Sequence, residues 1–155
     1  MSSLAQTFKP SKQLPKTAMT RARIRLSKIA GVSLDNDMDE VRLTQNGISV
    51  VTFFEIKKLG ALPTELGWII KPRTLTHRKN KKEPLTQEES GRWLRAAKTH
   101  ALALEVFGNQ DKASTWLHKP RKKFGDQTAA DLIQTEAGAH LVEDTLNQID
   151  SGYFA

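Results

Sequence analysis

Apolar positions along this chain recur three and four residues apart, and glycine or proline interrupts them at nearly every change of pattern, which is the signature of short helices. Ile48, Val51, Phe54 and Ile56 or Leu59 form one stripe ended by Gly60. The β-branched and aromatic content of Ile48 to Phe54 would also suit a strand, and the continuation to Leu59 decides for helix. Pro63 opens a second helix that buries Leu66, Ile69 and Ile70, and Pro72 restarts the chain as a third, Arg73 to Lys79. Thr86-Gln87-Glu88-Glu89 has capping-box spacing and starts the longest helix, which puts Trp93, Leu94, Ala97, Ala101 and Leu104 on one face and runs to about Phe107, before Gly108. A short helix from Gln110 to His118 ends before Pro120, and Thr128 caps another over Ala129 to Ile133. Thr135 begins the last helix, with Leu141, Val142, Thr145, Leu146 and Ile149 expected inward and Gly152 beyond its end. Upstream, residues 1–19 are polar and carry Pro10 and Pro15, which reads as a mobile basic arm. Thr20 caps a helix to Ala30 with Gly31 as its stop, and residues 33–46, rich in Asp and Asn, read as a linker. The chain has no internal repeat, and the fold class is all-α.

Charge divides this string of helices. The net charge is +7, the isoelectric point is near 9.8 and only 38% of residues are hydrophobic. Residues 1–33 hold seven Lys or Arg and no acid, and Lys71 to Lys82 hold six and no acid. From Phe124 onward the sign reverses, with six acids and no Lys or Arg. Clustering of this kind suits two partners, a polyanion for the basic part and something cationic for the acidic part. At 155 residues the chain can bury a real core. It has no cysteine, hence no disulfide framework or thiolate metal site. No segment approaches the roughly 20 apolar residues of a membrane span, and the N-terminus has no apolar run suited to a signal peptide. A cytoplasmic protein without a membrane partner is the expectation.

The basic helix after Pro72 follows a short turn and an apolar helix, the layout of a helix-turn-helix DNA reader. Arg73 and Thr74 would sit in its first turn, where Arg can grip a guanine through two donors and Thr can meet a base edge. Thr76, His77 and Arg78 lie one turn on, and Lys79, Lys81 and Lys82 have the flexible point charges suited to phosphates. Cations are favoured at any helix C-terminus, which accounts for Lys79 to Lys82 and leaves Arg73 unexplained. The N-terminal arm either adds phosphate contacts or stays disordered. The basic stretch lacks the aromatic platform of single-strand RNA readers, because the Trp and Phe residues fall at core spacing.

Catalytic chemistry finds no foothold. His77, His100, His118 and His140 make no ligand pair on one helix, and neither a phosphate-cradling glycine loop nor a nucleophile motif is present. Glu143 and Asp144 are neighbours that diverge by about 100° on a helix, so they do not share a proton. No catalytic residue, metal or cofactor is expected.

Trp116, Leu117, Phe107, Phe124, Leu132 and Ile133 read as the core of a small C-terminal bundle, and the Tyr153-Phe154 pair after a helix stop as a docking element or a fold-back. From about residue 47 the chain resembles the antitoxins of the Xre/MbcA/ParS type. The matching words are Arg73-Thr74-Leu75, Pro84-Leu85-Thr86, Glu88-Glu89-Ser90, Val106-Phe107-Gly108, Trp116-Leu117, Pro120, Phe124-Gly125, Asp131-Leu132, Thr135-Glu136, Gly138 and Gly152-Tyr153, in order. Ala129-Ala130 stands where the family often has Pro-Leu, and residues 1–33 align with nothing in it. The resemblance implies an Xre-like helix-turn-helix domain over residues 34–84, after the basic arm of residues 1–33, and a toxin-binding domain over residues 85–155. It further implies a partner toxin of the RES type, which degrades NAD, and repression of the protein's own operon through operator DNA. The working form would be a homodimer within a hetero-oligomeric complex. On that reading the DNA-binding residues are Arg73, Thr74, Thr76, His77, Arg78, Lys79 and Lys81. The toxin-binding residues are Glu136, His140, Glu143, Asp144, Asn147, Asp150, Tyr153 and Phe154. The competing reading is a stand-alone regulator whose C-terminal bundle only oligomerises. A uniformly acidic face repels its own copy, which favours a different partner.

Overall fold

The computed structural model describes residues 17–152, and the chain is all-α, with no strand among these residues. Its axis is α5 (Gln87–Phe107). Ser90, Trp93, Ala96, Ala97, Ala101, Leu102 and Ala103 are buried on every side of this helix, as expected of one that other elements surround. The alanines let neighbours approach closely. The capping box at Thr86 and Glu89 forms as the spacing predicts, and Gly108 ends the helix at φ 76°.

Four helices pack around this axis: α1 (Ala18–Ala30), α2 (Asp37–Asn46), α6 (Gln110–Leu117) and α8 (Glu136–Asp150). In α1 the buried residues are Ala18, Ala22 and Leu26, one residue per turn facing α5. The α1 helix begins earlier than its sequence suggests, because Thr17 rather than Thr20 is the cap and accepts the Thr20 N–H at 3.1 Å. The expected linker over residues 33–46 is instead mostly helix. Asn36 caps α2 by accepting the Asp39 N–H at 2.9 Å, and Asp37, Asp39 and Glu40 complement the positive end of its dipole. Periodicity misses α2 because ions rather than an apolar stripe hold it. Glu40 is buried and accepts from Lys98 Nζ of α5 at 3.1 Å, while Met38 and Val41 stay exposed.

The stripe from Ile48 splits into α3 (Val50–Glu55) and a 3-10 turn, Ile56–Leu59, which Gly60 ends at φ 88°. Pro63–Trp68 is also 3-10 rather than α, yet it buries Leu66 and delivers Ile69 and Ile70 to the core. The basic helix is α4 (Pro72–Lys81), with Pro72 at its first position.

In the C-terminal part, α7 (Ala129–Leu132) links α6 to α8. Trp116 lies 5.6 Å from Phe107 and edge-on to Phe124 at 5.9 Å, the core expected of those aromatics. Val142, Thr145 and Leu146 of α8 are buried, but Leu141 is 38% exposed. It sits about 100° around the helix from Val142, outside the stripe. The hydrophobic core continues without a break from Ala18 to Leu146.

Candidate nucleic-acid and protein interfaces

Helical geometry sorts the side chains of α4. Arg73, Thr76, His77 and Asn80 follow an i, i+3, i+4, i+7 series and are exposed, as are Lys79 and Lys81. Thr74 and Leu75 are half-buried, and the Thr76 hydroxyl donates to Pro72 O at 3.0 Å. Arg78 also turns inward. Its Nε donates to Glu89 Oε1 at 2.9 Å and its Nη2 to Oε2 at 3.3 Å, with side-chain exposures of 19% and 10%. Burial by itself would raise the Glu89 carboxyl; the Thr86 N–H and the Arg78 guanidinium outweigh it and hold it below the usual range. Arg78 therefore clamps α4 to α5 and is not presented outward with Arg73. Asn80 was missed by the sequence reading, although the helical series from Arg73 leads directly to it.

The segment that feeds α4 is equally constrained. Arg92 Nε donates to Ile69 O at 2.9 Å, and the Arg95 guanidinium lies 5.1 Å over the Trp68 ring. Beyond α4, the Leu85 N–H donates to Ile48 O and the Ile48 N–H to Ser90 Oγ, both at 2.8 Å. Gly47 is needed there, because a Cβ would meet Leu85 O at 2.6 Å. A rigid basic helix presenting one exposed stripe is what groove recognition requires.

The α8 surface is built differently. Thr135 caps the helix by accepting the Gly138 N–H at 3.0 Å. Glu136, His140 and Asp144 are exposed, with His140 Nε2 3.3 Å from Asp144 Oδ2; Glu143 and Asn147 are half-buried. Glu136, His140 and Glu143 line a groove between α5 and α8 together with Gly91, Arg95 and Lys98. Arg95 closes its floor, donating to Ile133 O at 2.8 Å and Gln134 O at 2.7 Å. Asp150 is engaged within the chain, where it accepts the Ala18 N–H at 3.4 Å and faces Arg21 at 3.7 Å. Tyr153 and Phe154 lie outside the described residues.

Folding brings two of the dispersed histidines together around Glu65. His118, at the end of α6, contacts Glu65 Oε1 through Nε2, and His100 Nε2 of α5 lies 3.7 Å from Oε2. The His118 Nδ1–H donates to Ser114 O at 2.6 Å, so both ring nitrogens of His118 face acceptors. His100 is 3% exposed, and burial, reinforced by the charge of His118, lowers its pKa to about 4. The three residues lie on different elements, which is why sequence spacing did not reveal them. Among the described residues no group of His, Cys, Asp and Glu is arranged to hold a metal ion, and no helix is long and apolar enough to cross a membrane.

Comparison with known proteins bears on both surfaces. Residues 102–152, which include α6, α7 and α8, match the family model described as the antitoxin Xre/MbcA/ParS C-terminal toxin-binding domain. An antitoxin Xre of Pseudomonas putida is 35% identical over 133 residues, covering 84% of each chain. A second, from Yersinia enterocolitica, is 34% identical over 87 residues, which span 56% of this chain and 59% of that relative. A third, from Photorhabdus laumondii, is 31% identical over 84 residues, spanning 54% and 57%. With such identity sustained over most of both chains in the first case, and the toxin-binding model falling on the bundle that carries the acidic helix, this protein belongs to the Xre/MbcA/ParS antitoxin family.

Proposed function

We propose that this antitoxin neutralises a cognate RES-type, NAD-degrading toxin by seating its α7–α8 face over the toxin's active site. In the same reading it represses its own operon through the outward stripe of α4, as a homodimer within a hetero-oligomeric complex in the cytoplasm. The observation that carries the first part is the carboxylate surface of the toxin-binding region: Asp126, Asp131 and Glu143 are in no ion pair among the described residues, and Glu136 is exposed at the groove edge, within electrostatic reach of Arg95. An enzyme that binds a dinucleotide diphosphate needs a cationic pocket, and a surface rich in carboxylates complements one. Asp150 contributes less to this reading, because α1 already satisfies it. For the second part, the support is a basic helix whose Arg73, Lys79 and Lys81 have no acidic partner among the described residues.

The test is co-expression with the toxin encoded beside its gene, followed by growth, NAD content and co-purification. The wild type should restore growth and NAD. The combined Glu136→Ala, Glu143→Ala, Asp144→Ala variant should weaken neutralisation and co-purification while leaving DNA binding intact. Neutralisation unchanged by the triple substitution removes the acidic face from the mechanism. A protein that retains DNA binding and captures no toxin is instead a stand-alone regulator.

A further inference from the structure

We infer that the loop following α6 is a second phosphate-binding surface, which extends the contact with duplex DNA from α4 onto the toxin-binding region. Many of the arginines among the described residues are engaged within the chain. Arg21 and Arg25 pair with Glu105, Arg23 and Lys98 with Glu40, and Arg78 with Glu89. Arg92 and Arg95 donate to carbonyls, and the Arg121 guanidinium lies 4.9 Å over the Trp116 ring. Apart from Lys28, the cations without such a partner among the described residues form two groups. One is α4 with its flanks. The other is Lys112, Lys119, Lys122 and Lys123, all exposed. Lys123 donates only to the neutral Gln148 Oε1, at 3.2 Å, and so keeps its charge uncompensated.

The loop is tied to the segment that leads into α4. Residue 118, immediately before this loop, holds Glu65 in the 3-10 segment that runs into α4. At its other end α6 lies against Gly60, whose Cβ would meet the Gln110 side chain at 3.0 Å. So α6 runs alongside the segment that braces α4, and its basic loop adjoins that brace. The loop itself is rigid. The Asp126 N–H donates to Arg121 O at 2.9 Å, the Arg121 N–H to Gln127 O at 3.2 Å, and Phe124 anchors the turn in the core. Asp126, on the far side of the Gly125 turn, is the only acid within residues 112–130.

The chemistry of the loop points to a polyanion rather than a protein. Protein interfaces are organised around buried apolar or aromatic anchors. No large hydrophobic side chain is exposed among residues 108–125, where the aromatics and Leu117 all turn inward. Flexible lysines held on a rigid frame are suited to sequence-independent phosphate contacts. Duplex DNA, with a phosphate charge every ~1.7 Å of axis, extends past a single recognition helix to meet them.

This inference rests on the DNA-binding reading of α4, and the experiment separates the two. Fluorescence anisotropy is measured against salt concentration, with duplex DNA from upstream of the protein's own coding sequence and an unrelated duplex of equal length. The combined Lys119→Ala, Lys122→Ala, Lys123→Ala variant should weaken binding to both duplexes alike and lower the slope of log affinity against log salt by about 2 to 3. Arg73→Ala should act mainly on the upstream duplex. If Arg73→Ala loses binding while the lysine variant keeps the wild-type affinity and slope, the second surface is overturned and the α4 reading stands. If the wild type binds neither duplex, both fall. If the lysine variant loses the toxin and keeps DNA, the loop faces an acidic protein and the inference is wrong.

Discussion

At the scale of single residues, burial assigns roles that residue type leaves open. Arg73 and Arg78 are five positions apart in one basic helix, yet Arg78 is drawn onto Glu89 while Arg73 remains outward. His100 makes the same point for titration. Its folded pKa of about 4 lies below the ordinary 6.5 because the ring is buried and the charge of His118 is close by. A depressed histidine pKa means that the unfolded chain takes up a proton the folded chain refuses. The stability of the protein should therefore be full above pH 6.5 and fall as pH drops from there through about 4. Glu89 and Glu105 add to acid sensitivity lower down, because burial is outweighed by the Thr86 N–H and Arg78 at Glu89 and by Arg25 and Arg21 at Glu105, and each carboxyl is held below its usual range. Urea denaturation across this range should show the loss, and His100→Leu should flatten the upper part of the slope while leaving the lower part. An unchanged slope in the variant would assign the effect to other groups.

At the scale of elements, capping and close approach set the boundaries. Thr17, Asn36, Ser49, Thr86, Asn109, Thr128 and Thr135 each accept an N–H from the first turn of their helix. Thr86, Thr128 and Thr135 are legible as caps because a helical apolar pattern follows each, whereas α2 has the cap without the apolar stripe. The tightest glycine position lies between α7 and α8, where a Cβ at Gly138 would stand 1.9 Å from Leu132 O. Backbone cannot yield there as a flexible side chain would. Gly138→Ala should cost about 3 kcal/mol or more, measured by chemical denaturation, and should shift the α8 face that carries Glu136 and His140. A variant as stable as the wild type would mean that the two helices separate freely.

At the scale of the whole molecule, the basic and acidic parts seen in sequence are joined by one core. α5 contributes to both, with α1, α2 and the turn after α3 on some of its faces and α6 and α8 on others. Cutting before residue 85 would strip cover from Trp93, Ala97 and Ala101, all fully buried. A fragment of residues 85–155 should accordingly be expanded and dye-binding, with helical content and without fixed tertiary signals, when examined by near-ultraviolet dichroism and hydrophobic dye fluorescence. A native-like spectrum would show that the C-terminal bundle folds alone.

The all-α class, the stops of most helices, the caps at Thr86, Thr128 and Thr135, the inward face of α5 and the family were legible in the sequence, because those depend on local spacing and on words of adjacent residues. The sequence also separated the charges into a basic and an acidic stretch. Which of those charges remain available is set by packing. Arg21 and Arg25 share Glu105 across α1 and α5, Asp150 is taken up by α1, and His100 and His118 meet at Glu65. Ion pairing and burial depend on which elements pack side by side, at sequence separations of up to 132 residues, and no local pattern carries that information.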